Sequence, residues 1–165
     1  MKKLLTLLVA ALSAVVLFAF TGCADDPRGE TTDKIENEYS ICYAFTATND
    51  VLEMDENTSL KDYMDALKED GKLDFNGSES DYGFYVTEIL GVGSVYVSST
   101  DNSYAGYDWY VYTTLTTLDG VIYSSDETFV FNGLTLYKAA YGVSGLPCVD
   151  GESYAFVFKY AETNW

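Results

Sequence analysis

A chain of 165 residues is long enough for one domain with a real core, and its 16% aromatic content with only two prolines argues against disorder and for a β-rich domain. The 26 acidic against 9 basic side chains give a net charge of −17, which repels nucleic acid and anionic membrane surfaces. The chain has no histidine, which removes Ser-His and Cys-His nucleophile pairs and histidine metal sites.

Met1-Lys2-Lys3 is a positive start, and Leu4 to Phe20 is an apolar run broken only by Thr6 and Ser13. Small residues then precede a cysteine in Phe20-Thr21-Gly22-Cys23, so residues 1–22 read as an export signal. A transmembrane anchor is the competing reading, since about 20 apolar residues span a bilayer. Against it, Ala24-Asp25-Asp26 follows where a basic stop-transfer cluster belongs. The segment resembles a bacterial lipoprotein signal with its lipobox at Phe20-Thr21-Gly22-Cys23, with Phe20 where Leu is more usual. That resemblance implies diacylglyceryl transfer to Cys23, cleavage before it, and a membrane-anchored lipoprotein outside the cytoplasm. Two or three acyl chains anchor stably where one binds only marginally.

Residues 23–38 are acidic, with Ile35 as the only large apolar side chain, and read as a flexible tether. The domain is expected over 39–165. Residues 39–47, Tyr-Ser-Ile-Cys-Tyr-Ala-Phe-Thr-Ala, suit a first strand. With Cys23 lipidated, Cys42 and Cys148 remain as a pair in an exported domain, where a disulfide is permitted. Two buried free thiols are the alternative.

Leu60, Tyr63, Met64 and Leu67 recur at i, i+3, i+4 and i+7, predicting a helix that covers one face of a sheet. Ser59 with Asp62 forms a capping box, and Gly71 suits the left-handed position after the helix. Residues 72–75 read as a short edge strand and 76–81 as a solvated turn. A likeness of that turn to a calcium loop fails, because position twelve from Asp74 is Tyr85 rather than Glu. Residues 82–90 read as a strand, and Gly91-Val92-Gly93 as a turn or bulge without the third glycine of a dinucleotide site.

Residues 98–106 read as a polar loop leading into the strand 107–114, Tyr-Asp-Trp-Tyr-Val-Tyr-Thr-Thr, around which the chain is organised. Asp119-Gly120 and Asn132-Gly133 are hairpin dipeptides. Asp150-Gly151 leads into a last strand in which Tyr154, Phe156, Phe158 and Tyr160 share one face. One helix among mainly antiparallel strands makes the fold class α+β.

This order of parts resembles the C-terminal β-domain of transcobalamin and intrinsic factor, together with its bacterial surface relatives, over about residues 40–160. The matching stretches are Asn57-Thr58-Ser59-Leu60 and its helix to Gly71, then Gly83-Phe84-Tyr85-Val86-Thr87-Glu88-Ile89-Leu90-Gly91. Trp109-Tyr110-Val111-Tyr112 and Val149-Asp150-Gly151-Glu152-Ser153-Tyr154-Ala155-Phe156 complete them. The resemblance implies a single β-grasp-like domain. Residues 115–143 depart from the shorter family pattern by an added hairpin.

Catalysis is not expected. No spacing singles out one carboxylate pair, and Gly142-Val143-Ser144-Gly145 lacks the Gly-x-Ser-x-Gly elbow. The reading is a lipid-anchored binding module without cofactor or metal. Tyr104, Tyr107, Trp109, Tyr110 and Tyr112 would offer aromatic faces to a corrinoid-like or carbohydrate ligand. The alternative is an interaction lipoprotein that docks on a surface protein or transporter, an exposed edge strand being one route.

Overall fold

The computed structural model describes residues 41–164 apart from 82 and 101, so the leader, Cys23 and the tether lie outside the described residues. The elements in chain order are β1 (Ile41–Thr46), α1 (Leu60–Glu69), β2 (Phe75–Ser80), β3 (Gly83–Ile89), β4 (Val92–Gly93) and β5 (Val95–Thr100). They continue with β6 (Ser103–Thr113), β7 (Thr117–Leu118), β8 (Val121–Ile122), β9 (Ser124–Phe131), β10 (Leu134–Ala139) and β11 (Ser153–Asn164). The domain is α+β, with a mostly antiparallel sheet and one helix among the described residues. None of those residues forms a helix long and apolar enough to cross a membrane.

The main sheet runs β1-β11-β6-β10-β9, with β5 also beside β6. Its spine is the antiparallel pair β6–β11, in register from Tyr154↔Thr113 to Asn164↔Ser103. Alternation along these two strands builds a core on each face. Trp109, Tyr154, Phe156 and Phe158 pack with Leu60, Tyr63, Met64 and Leu67 of α1. Tyr112, Ala155 and Val157 pack on the other face with Phe129 and Leu136 of the β9–β10 hairpin. Each large side chain fully removed from water stabilises by roughly 1.5–3 kcal/mol, so the aromatic β11 face is the main anchor of the helix.

The helix begins as expected. Ser59 Oγ accepts from the Asp62 N–H at 3.2 Å, and Asp62 Oδ2 accepts from the Ser59 N–H at 2.9 Å. The next two N–H groups go to the loop before β11, Leu60 to the Leu146 carbonyl and Lys61 to that of Val143. Orphan donors of the first turn thereby hold the helix to the sheet. The small sheet β2-β3-β4 flanks this core through Phe75, Val86 and Ile89.

Three sharp turns, Leu90-Gly91, Asp119-Gly120 and Asn132-Gly133, each place two consecutive residues at φ near +50° and +81°. These are the type I′ geometries that suit the twist of a hairpin. The two expected from Asp-Gly and Asn-Gly are present, as β7–β8 and β9–β10.

Three expectations are corrected. The expected loop over 98–106 is mostly strand: Ser98 to Thr100 end β5 and Ser103 to Gly106 begin β6, paired from Val95↔Tyr107 to Thr100↔Ser103. The stretch is polar because it extends the sheet beyond the helix-covered core, where backbone pairing needs no apolar face. Residues 76–80 are likewise strand rather than turn, pairing as β2 with β3, while the strand expected over 72–75 starts only at Phe75. Every side chain from Asn76 to Ser80 is exposed, which erases the period-two signal. Cys42 and Cys148 are free thiols. Cys42 packs against the second core and Cys148 within the helix-side core, so the sheet stands between them.

Candidate functional site

Strand β6 is fully paired with β11 on one edge and divided on the other. There β5 covers Ser103 to Tyr107, and β10 covers Tyr112 and Thr113. These registers leave 108–111 without a partner strand on that edge, so the sheet forks at Asp108.

The fork carries a tyrosine cluster. Asp108 is 7% exposed, and its Oδ2 accepts a hydrogen bond from the Tyr104 hydroxyl at 2.7 Å. Its Oδ1 is buried and has no hydrogen-bond partner. The Tyr96 ring meets the Tyr104 ring edge to face, with centroids 5.4 Å apart. Tyr85, from β3, brings its hydroxyl beside the same carboxylate. Burial, followed by the hydrogen-bonding influence and charge of Asp108, pushes both the Tyr85 and Tyr104 hydroxyls above the usual phenol range. Tyr85 and Tyr96 are 41% and 66% exposed, so the cluster opens to solvent on the side away from its carboxylate.

A second polar group continues along the same face of β6. The Lys138 and Lys159 ammonium groups lie 4.9 and 4.8 Å from the Tyr110 ring centroid. Lys138 donates to Glu127 Oε2 at 3.1 Å, Lys159 donates to Glu127 Oε1, and the Tyr112 hydroxyl gives that oxygen a bond of 2.5 Å. Burial alone would raise the Glu127 carboxyl, but the donors Lys159, Tyr112 and Lys138 outweigh it and hold the group down at about 2.

The five aromatic residues expected to make one binding surface are therefore divided by strand alternation. Tyr104, Tyr110 and Tyr112 lie on the face of Asp108, with Tyr112 fully buried. Tyr107 and Trp109 turn to the helix side, where both rings pack against Phe158. Trp109 also donates its indole N–H to the Val92 carbonyl at 2.9 Å. Trp109 is a core residue, 7% exposed, whereas Tyr107 is half-buried at the edge of that core, on the sheet face opposite Asp108. Three members of the site were not anticipated: Tyr85, Tyr96 and Asp108. The available signal was Asp108 itself, a carboxylate inside a run of aromatic residues that otherwise reads as buried strand.

Tyrosine faces set around one buried carboxylate stack on flat or apolar groups and can accept a donor at the centre. No protein-family model, curated protein or solved structure matches this chain.

Proposed function

We propose that the protein is a lipid-anchored binding module outside the cytoplasm, which takes a small ligand at the tyrosine cluster around Asp108. The observation that carries this reading is the buried Asp108 carboxylate, roofed by partly exposed tyrosines and left with one oxygen, Oδ1, that receives no hydrogen bond. A buried polar atom without a partner costs on the order of 1–3 kcal/mol, so its retention calls for a reason. The lipobox sequence ending at Cys23 supports the anchor and the localisation. The resemblance to the transcobalamin and intrinsic factor β-domain supports a β-grasp-like arrangement and a ligand of corrinoid-like or carbohydrate type, with no catalytic role.

Isothermal titration calorimetry of the full chain in mild detergent with cobinamide, cobalamin and neutral oligosaccharides tests the reading, because binding heat needs no chromophore on the Asp108 face. Saturable heat with one of them is the expected result. No saturable heat with any of these, nor with organic amines, would overturn it.

A second reading rests on β9, the last strand in the main sheet's order, where Val130 is exposed. Such an edge suits docking of a surface protein or transporter by strand addition.

A further inference from the structure

We propose that the ligand of the Asp108 cluster carries an organic ammonium group, which docks on the Asp108 carboxylate between the rings of Tyr85, Tyr96 and Tyr104. This deepens the binding-module reading and rests on it.

Three observations lead there. First, Asp108 sits directly opposite Lys159 in the β6–β11 ladder, yet the Lys159 ammonium goes to Glu127 and to the Tyr112 hydroxyl, the latter at 2.7 Å. Among the described residues no basic side chain forms an ion pair with Asp108. Secondly, the groups at the carboxylate are tyrosine hydroxyls, and Oδ1 is left without a donor. An N–H donor supplied from outside would satisfy that oxygen and neutralise the charge together, and charge-assisted bonds of this kind are the stronger ones. Thirdly, the surrounding walls are tyrosine rings, whose faces attract cations. The same fold already uses that attraction one step along the strand, where two lysine ammonium groups lie over Tyr110.

The geometry also points to the entry. Oδ1 is closed off from solvent, whereas Tyr96 is largely exposed and meets Tyr104 only edge to face. Tyr96 is the more exposed of the two outer rings, at 66% against 41% for Tyr85, so its rotation is the route by which an ammonium group would enter. A metal ion fits less well, since tyrosine hydroxyls and a single carboxylate offer a hard cation too few anionic oxygens.

Isothermal titration calorimetry of the full chain in mild detergent at physiological salt tests this with three probes: cadaverine, a glucosamine trimer and its neutral N-acetylglucosamine counterpart. Cadaverine and the glucosamine trimer distinguish a bare amine from an amino sugar, and saturable binding of either supports the proposal when the neutral trimer binds far more weakly. Asp108→Asn, which keeps the shape and removes the charge, should then weaken that binding by roughly tenfold or more. Tyr96→Ala, at an exposed ring outside the cores, should weaken it by about two- to fivefold without loss of folding. Thermal unfolding of each variant establishes that it is folded. Equal binding of the neutral trimer would overturn the ammonium proposal and leave the binding module standing. So would amine binding that is unchanged in folded Asp108→Asn. Heat from none of these probes would overturn the proposal, and the wider reading falls only if the corrinoids and neutral oligosaccharides also fail.

Discussion

Lys159 faces Asp108 across the central ladder and nevertheless pairs with Glu127. One basic residue thus separates two carboxylates on the same sheet face. Glu127 collects two ammonium groups and a phenol, while Asp108 is left to tyrosine hydroxyls.

The Glu127 network predicts an acid-sensitive increment of stability. In the folded protein this carboxyl is held at about 2, against an ordinary value of 4.5. A depressed carboxylate stabilises fully above its unfolded value and loses that contribution as pH falls through the folded one. Glu127→Gln should therefore be less stable than the wild type above pH 5, and the gap should close between about pH 4.5 and 2. Glu127 is more than a third exposed, so solvent screening limits the gap to roughly 1 kcal/mol or less. Urea midpoints at pH 6 and pH 2.5 measure it, and a gap that is constant with pH would contradict the network.

Gly106 is the close-approach point of the β5–β6 hairpin. A Cβ there would lie 2.5 Å from the Val95 carbonyl oxygen and 2.6 Å from the Tyr104 hydroxyl. The first of these is backbone and cannot turn aside. Gly106→Ala should cost about 1–3 kcal/mol by prising the two strands apart, and it should alter the near-ultraviolet circular dichroism of the tyrosine cluster. Full retention of the wild-type urea midpoint would show that the two strands do not approach so closely at Gly106.

Ser59→Ala removes the hydroxyl that caps α1 and accepts from the Asp62 N–H. The side-chain and backbone bonds from Ser59 also hold the Asp62 carboxyl below its usual range. Loss of about 1 kcal/mol in chemical denaturation is expected. Ser59→Asp, which retains an acceptor, should recover part of it.

Burial pushes the thiols of Cys42 and Cys148 up to about 12. Thiolate is the reactive form, so alkylation of the native protein at pH 8 should be slow at both positions. After unfolding without reductant, mass spectrometry should find both alkylated. A mass two hydrogens lighter, with neither thiol available, would mean that the pair bridges across the sheet after all.

Cells fed a radiolabelled fatty acid should label the wild-type protein and not Cys23→Ala, because the proposed anchor is the lipid on that sulfur. Absence of label from the wild type, or equal label in Cys23→Ala, would reject lipidation at Cys23.

Local chemistry was legible in the order of residues. The apolar stripe Leu60, Tyr63, Met64, Leu67 and the Ser59 cap specify a helix through its 3.6-residue period. Asn132-Gly133 and Asp119-Gly120 specify hairpins through positive φ, and Tyr154, Phe156 and Phe158 specify a buried strand face through period two. The polar strands were illegible, because Asn76 to Ser80 bury no side chains and so carry no pattern. Alternation also set Trp109 and Tyr110 on opposite faces, a division that the run of aromatics conceals unless its parity is followed. Only the tertiary fold decided that Tyr85 of β3 and Tyr96 of β5 meet Asp108 of β6, and that Lys159 turns to Glu127 instead. Such meetings depend on where two partner strands diverge from a shared edge. That is a property of long-range register, to which no local preference in the chain corresponds.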